Sequence, residues 1–301
     1  MDHLPQSSPA PARPARAPGS ALALFLTLTF LISWGAWVPV NLAARGVIAA
    51  FPPAALANLV AVFGPLLAAV LTARVMDGRA GPHALFSGMW SWRVPARWYA
   101  FVLLYPPALS LATSSVSVLL GLEWPEWARP PIVEALPGGS APLWPWSLLP
   151  LLFVQQTLLG SSMGEEVGWR AFALPRMQGR WGALPASLLL GVVWGVWHWP
   201  YHTTPGNLLE HTPFGWTVLG TVAASVLFTW VWTGTRGSLL LALLFHSSVA
   251  LTNSFVASGA GAGLSATLAW VVPLAVVVFT RGSLGSSHRP FGRVRTLERT
   301  R

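Results

Sequence analysis

The sequence predicts an all-α membrane protein, a polytopic helical bundle of about eight transmembrane helices, and three observations carry that prediction. Of 301 residues, 53% are hydrophobic and only 9% are charged, against about 25% charged in an ordinary soluble domain. Apolar runs long enough to span a bilayer recur along most of the chain, so the apolar surplus is not the work of one anchor. All 18 basic residues are arginines, and they segregate to one side when the runs are threaded in order.

Residues 1–19 are rich in Pro, Ala and Ser and include Arg13 and Arg16, the composition of a disordered tail. The first apolar run, about 21–42, exceeds the roughly 7 to 15 residues of a signal-peptide core and ends in no clear small-residue cleavage site, so it reads as a retained helix. Further runs at about 54–75, 98–121, 146–164, 184–200, 214–233, 238–256 and 264–280 are mainly apolar, each near the roughly 17 to 25 residues a spanning helix needs. Glu123, Glu126 and Glu134 make an acidic segment between the third and fourth runs, where Trp124, Trp127, Trp144 and Trp146 suit a membrane-interface belt. The organisation is therefore a tail (1–19), a bundle (20–281) and a basic tail (282–301), with no soluble domain and no obvious internal repeat.

If the chain starts in the cytoplasm, eight spans leave only Arg45 and Arg129 on the far side and put both termini in the cytoplasm. A protein of the cell inner or plasma membrane is expected, with the lipid bilayer as its constant partner. The net charge of +9 does not imply nucleic acid, because the arginines sit at the ends of apolar runs and form no stripe with interleaved aromatics. Cysteine is absent, which excludes disulfides, thiolate zinc sites and a cysteine nucleophile.

Ionisable groups inside spans are costly and mark functional sites by default. Three places qualify: the stretch 163–170 with Glu165, Glu166 and Arg170; Trp194 to His198; and His246, followed by Asn253. In a helix Glu166 and Arg170 stand at i and i+4 and can pair, while Glu165 points about 100° away and is left free to act as a base. The plainer reading is that both glutamates cap a helix or neutralise Arg170, Arg176 and Arg180. His198 shares a face with Trp194, where a packing role is the ordinary one, and Pro200 ends or kinks that helix. His202, four residues on, has a spacing at which two imidazoles can bind one zinc, though Pro200 intervenes. His246 must satisfy its ring nitrogens in an apolar helix, and Asn253 returns to nearly the same face, as an oxyanion donor or as interhelical glue. His211 and His288 fall in loops and carry no assignment. With straight helices His198 lies far from Glu165; a deeper position for residues 160–168 or tilted spans would close the gap.

Glu165-Glu166-x-x-x-Arg170 followed by Ala-Phe-Ala-Leu-Pro, an aromatic-x-x-x-His at Trp194 to His198, and His246 together resemble the CPBP (Abi) intramembrane proteases, which include type II CAAX prenyl endopeptidases and bacteriocin-processing and immunity proteins. The resemblance covers about 146–256. It implies that Glu165 activates the attacking water with Glu166 beside it, that Arg170 orients the carboxylates, and that His198 and His246 face the same cavity as metal ligands or as water and oxyanion partners. A zinc-dependent and a metal-free glutamate mechanism both agree with such a set. Two departures stand out: Trp194 replaces the usual Phe of the second motif, and Ala250 occupies the place of an Asn four residues after His246, with Asn253 one turn further on. The implied activity is endoproteolysis of a membrane-associated or lipid-modified peptide. A proton-coupled transporter built on the same buried groups, and a non-catalytic immunity or binding protein, are the alternatives.

Overall fold

The structure is a computed structural model that describes residues 18–49, 53–122, 124, 130–135, 144–207, 212–256 and 262–286. Every regular element among these residues is helical, as the composition predicts. The sequence assignments for residues 1–17 and 287–301, and for Glu123, Glu126, Trp127, Arg129, His211, His288 and the Glu134 side chain, lie outside the described residues.

Helix α1 (Pro18–Ala44) runs unbroken for 27 residues, about 40 Å at the α-helical rise. It packs along α2 (Ala54–Val62) and α3 (Gly64–Asp77), which meet at a 43° bend around Phe63. There Gly64 sits so close to Ser33 that a Cβ would lie 2.1 Å from the hydroxyl oxygen. A short α4 (Ala80–Phe86) leads to α5 (Ala96–Leu119), another helix of spanning length.

The fourth apolar run departs most from expectation. Its helix α6 (Leu149–Leu159) stops at Gly160, whose backbone is extended (φ −109°, ψ −161°), and resumes as α7 (Ser161–Glu166). A π-helical segment, Val167–Ala173, then passes into α8 (Leu174–Trp181). Such wide turns insert a residue into the helical ladder and often accompany functional sites. The helical path therefore continues well beyond residue 164, and the two glutamates occur partway along it instead of at its end. Gly182, at φ +82°, closes α8 and turns the chain into α9 (Ala183–Trp197).

Helix α9 is followed by the single turn α10 (Trp199–His202), then α11 (Phe214–Gly234), α12 (Leu239–Phe255), α13 (Ala262–Ala269) and α14 (Val271–Phe279). All eight apolar runs are thus helical, but their lengths differ. Four helices or helical stretches are long and apolar enough to cross a bilayer (α1, α5, α11 and the continuous pair α13–α14), and bent α2–α3 makes a fifth. At 15 and 17 residues, α9 and α12 reach only about 22 and 26 Å, short of a hydrocarbon core of about 30 Å. Eight full-length crossings are therefore not what the described helices show. The shortfall falls on the helices that carry the polar motifs: Gly160 interrupts the fourth run and Pro200 follows the end of α9, while α12 is short with neither.

Large apolar side chains point outward on these helices, among them Leu31, Leu104, Leu151, Val278 and Phe279. Water would oppose such a surface, and lipid accepts it. Inside, small residues let backbones meet. A Cβ on Gly164 would come 2.6 Å from the Val62 carbonyl oxygen, and one on Gly168 would come 2.6 Å from that of Pro65. On the opposite wall, a Cβ on Gly191 would strike Val222 Cα at 2.6 Å, and one on Gly195 the Thr221 hydroxyl at 2.6 Å. Thr221 Oγ1 uses that closeness to donate to the Gly191 carbonyl at 3.0 Å. These two seams hold α7 against α2–α3 and α9 against α11 by backbone contact.

Candidate active site

Glu166 lies at the centre of a buried polar chain. Its Oε2 accepts from Arg170 Nε at 2.8 Å and its Oε1 from His246 Nδ1 at 2.7 Å, with Glu166 and Arg170 fully buried. The i, i+4 pairing read from the sequence is present even though Arg170 belongs to the π-helical segment. Arg170 Nη1 donates to Ser225 Oγ at 3.1 Å, and the guanidinium faces Phe228 at 4.4 Å and Trp194 at 5.1 Å from the ring centroids. A buried charge set of this kind persists only when each member is paired. The chain meets that condition for Glu166.

Glu165, 3% exposed, has no salt bridge among the described residues. Its Oε2 accepts one hydrogen bond, from Trp194 Nε1 at 2.6 Å, and Oε1 has no hydrogen-bond partner among the described residues. The same Trp194 receives His198 Nδ1–H on its backbone carbonyl at 2.8 Å. Because a carbonyl can only accept, Nδ1 carries the proton and His198 Nε2 is the lone-pair nitrogen of the neutral ring. Trp197 packs edge-on against that ring at 4.7 Å and Trp37 stacks beside it at 6.4 Å. The distance problem posed by straight helices is resolved by the break at Gly160, which carries Glu165 to the level of Trp194.

Glu165, His198, His246, Asn253 and Ala250 all line one cavity of about 560 Å³. Its exposed lining residues are Ala55, Asn58 and Leu59 of α2, Gln155 and Leu159 of α6, and Asn253 of α12, so the mouth lies between these elements. Leu59 and Leu159 are exposed at it. The cavity floor holds Glu165, Trp194 and His246. Asn253 shares the cavity but stands at the exposed rim, with no hydrogen bond to Glu165, His198 or His246. Two residues that the sequence reading passed over also belong here: Ser161, whose Oγ is 3.1 Å from His246 Nε2, and Gln156, whose Nε2 donates to Ser161 Oγ at 2.5 Å. Only the apolar setting of a Gln and a Ser in a spanning run could have pointed to them.

The zinc ligand set considered from sequence does not form. Among the described residues no three His, Cys, Asp or Glu side chains gather in a metal-holding group, whereas protein zinc sites use three or four ligands. Both His246 nitrogens and both Glu166 oxygens already have protein partners. His202 is no second ligand beside His198, because its Nε2 is 2.7 Å from the Thr212 carbonyl oxygen. The donor geometry thus does not fit a zinc ion held by His198 and His246.

Residues 144–252 match the family described as Type II CAAX prenyl endopeptidase Rce1-like. The chain is also similar to a protein named CAAX prenyl protease 2 from Methanococcus maripaludis, 29% identical over 116 residues. That alignment covers 36% of this chain and 41% of the relative's length. The CPBP resemblance read from the three motifs is borne out over the same stretch.

Proposed function

We propose that this chain is an intramembrane endopeptidase that hydrolyses a prenylated or otherwise lipid-modified peptide, with water activated by Glu165. The observation that carries the reading is Glu165 itself, a buried carboxylate with no salt bridge, fixed by one hydrogen bond and facing a cavity that it shares with a neutral imidazole. The similarity to a CAAX prenyl protease supports the substrate class.

A water between Glu165 Oε1 and His198 Nε2 meets two acceptors, so both its protons are directed away from the substrate and a lone pair is left for the peptide carbonyl. Glu165 takes one proton as the C–O bond forms, then returns it to the departing amine as the C–N bond breaks. The Glu166–Arg170–His246 chain supports the site from beneath and holds α7, α12 and α11 in register. Asn253, a side-chain amide at the rim of the same cavity, is the proposed donor to the developing oxyanion. His198 and His246 act here as hydrogen-bonding imidazoles, and the peptide is cut near the cytoplasmic face.

The test is cleavage of a farnesylated peptide with a C-terminal tripeptide extension, reconstituted with the detergent-purified chain in liposomes. Release of the tripeptide by wild type, and its loss in Glu165→Gln with the helical content unchanged, is the expected result. Equal cleavage by Glu165→Gln would end the proposal.

A further inference from the structure

Ser161 and His246 line the cavity, and Glu166, fully buried behind His246, completes an ordered line with them. Ser161 Oγ is 3.1 Å from His246 Nε2, and His246 Nδ1 is 2.7 Å from Glu166 Oε1. The proton positions follow from the ends of the line. Arg170 can only donate, so it holds Glu166 as an ionised acceptor, and Glu166 in turn requires the proton on His246 Nδ1. With the ring neutral, Nε2 is an acceptor and the Ser161 hydroxyl donates to it. Gln156 Nε2 then donates to Ser161 Oγ. Every hydrogen in the series points from Gln156 toward Glu166.

We infer that Ser161 is a second nucleophile, with His246 as its base and Glu166 as the carboxylate that orients the base, and that the cavity carries out acyl transfer on carboxylic esters. The arrangement is that of nucleophile, base and orienting acid, recognised by geometry and not by order in the chain. It does not use Glu165, and it goes beyond peptide hydrolysis by water.

The reaction balances without another reagent. Ser161 Oγ forms a bond to the acyl carbon while its proton passes to His246 Nε2. The carbon–oxygen bond to the alcohol breaks, and the alcohol leaves with that proton. Water then attacks the acyl-serine, losing a proton to His246 Nε2; the acyl carbon–Oγ bond breaks, His246 returns that proton to Ser161 Oγ, and the acid departs. Glu166 stabilises the imidazolium at each stage, and the second N–H of the Gln156 amide, whose first donates to Ser161 Oγ, is the donor assigned to the oxyanion. Leu59, Val62, Leu159, Phe228 and Val249 give the cavity an apolar wall suited to a medium-length acyl chain.

The test treats the full-length chain in detergent with a fluorophosphonate probe and maps the adduct by mass spectrometry. Phosphonylation of Ser161 in wild type, its absence in Ser161→Ala and its retention in Ser115→Ala, an exposed serine on α5, are expected. A second variant covers misfolding of the first. Because the chain has no cysteine, Ser161→Cys introduces its single thiol. Iodoacetamide should alkylate that thiol at neutral pH at least about tenfold faster than in Ser161→Cys/His246→Asn. No adduct, an adduct on another residue, or an alkylation rate indifferent to His246 would each overturn the inference. None of these readouts depends on peptide cleavage, so failure of the Glu165 reading would be seen separately.

Discussion

The indole N–H of Trp194 donates to Glu165 Oε2 at 2.6 Å, from a residue whose carbonyl also anchors His198 at 2.8 Å. One side chain thus fixes the carboxylate while its own backbone fixes the imidazole. Trp194→Phe keeps the aromatic wall and removes the N–H. A hydrogen bond to a charged group is worth about 1.5–3 kcal/mol, so kcat for peptide cleavage should fall roughly tenfold to a hundredfold. KM should change little, because no wall of the cavity is lost. A variant at wild-type kcat would show that Trp194 only packs.

Arg170→Met should cost more in stability than in any local contact. It leaves Glu166 buried with His246 as its remaining partner, and removal of one member of a buried pair costs about 3–5 kcal/mol. The unfolding midpoint in detergent, followed by loss of helical circular dichroism, should drop well below wild type. Arg170→Met/Glu166→Met should recover part of that loss.

Gly191→Val and Gly195→Val should separate α9 from α11, because a Cβ at either position already meets α11 atoms at 2.6 Å. Overpacking of this kind costs about 1–3 kcal/mol, and it displaces Trp194 and His198 together. Cleavage should fall more than tenfold for both, while Gly215→Ala, where a Cβ meets nothing within 4 Å, should behave as wild type.

Removal of metal should leave peptide cleavage unaltered. The described residues offer no three-ligand zinc set, so dialysis against EDTA and then 1,10-phenanthroline should keep the rate within about twofold of the untreated protein. A rate abolished by chelation and restored by zinc would require His198 and His246 to rearrange.

The helical architecture and the pairing of the site were legible for simple reasons. Apolar run length determines where helices lie, and the i, i+4 relation between Glu166 and Arg170 states a contact that survives the π-helical turn. The same geometry left Glu165 unpaired, as it is. What escaped was depth. Gly160 reads in sequence as one more small residue in a spanning run, yet it breaks the helix and sets the glutamates opposite Trp194. The role of Trp194 escaped because an aromatic at that place satisfies a packing pattern whether or not its N–H has a partner. Ser161 escaped because its partner, His246, is 85 residues away in sequence, and Gln156 escaped with it because it reaches the site only through Ser161. Asn253, read as returning to nearly the same helical face as His246, lines the cavity at its exposed rim near the end of α12.

The mouth between α2, α6 and the end of α12 is framed by exposed leucines. The proposed lipid-modified substrate would reach it by lateral diffusion in the bilayer, where its effective concentration is a number of molecules per lipid. Turnover should therefore follow the mole fraction of substrate in the vesicle and fall on dilution with inert lipid, even at constant bulk concentration. For the proposed peptidase the rate law would then be written in two dimensions.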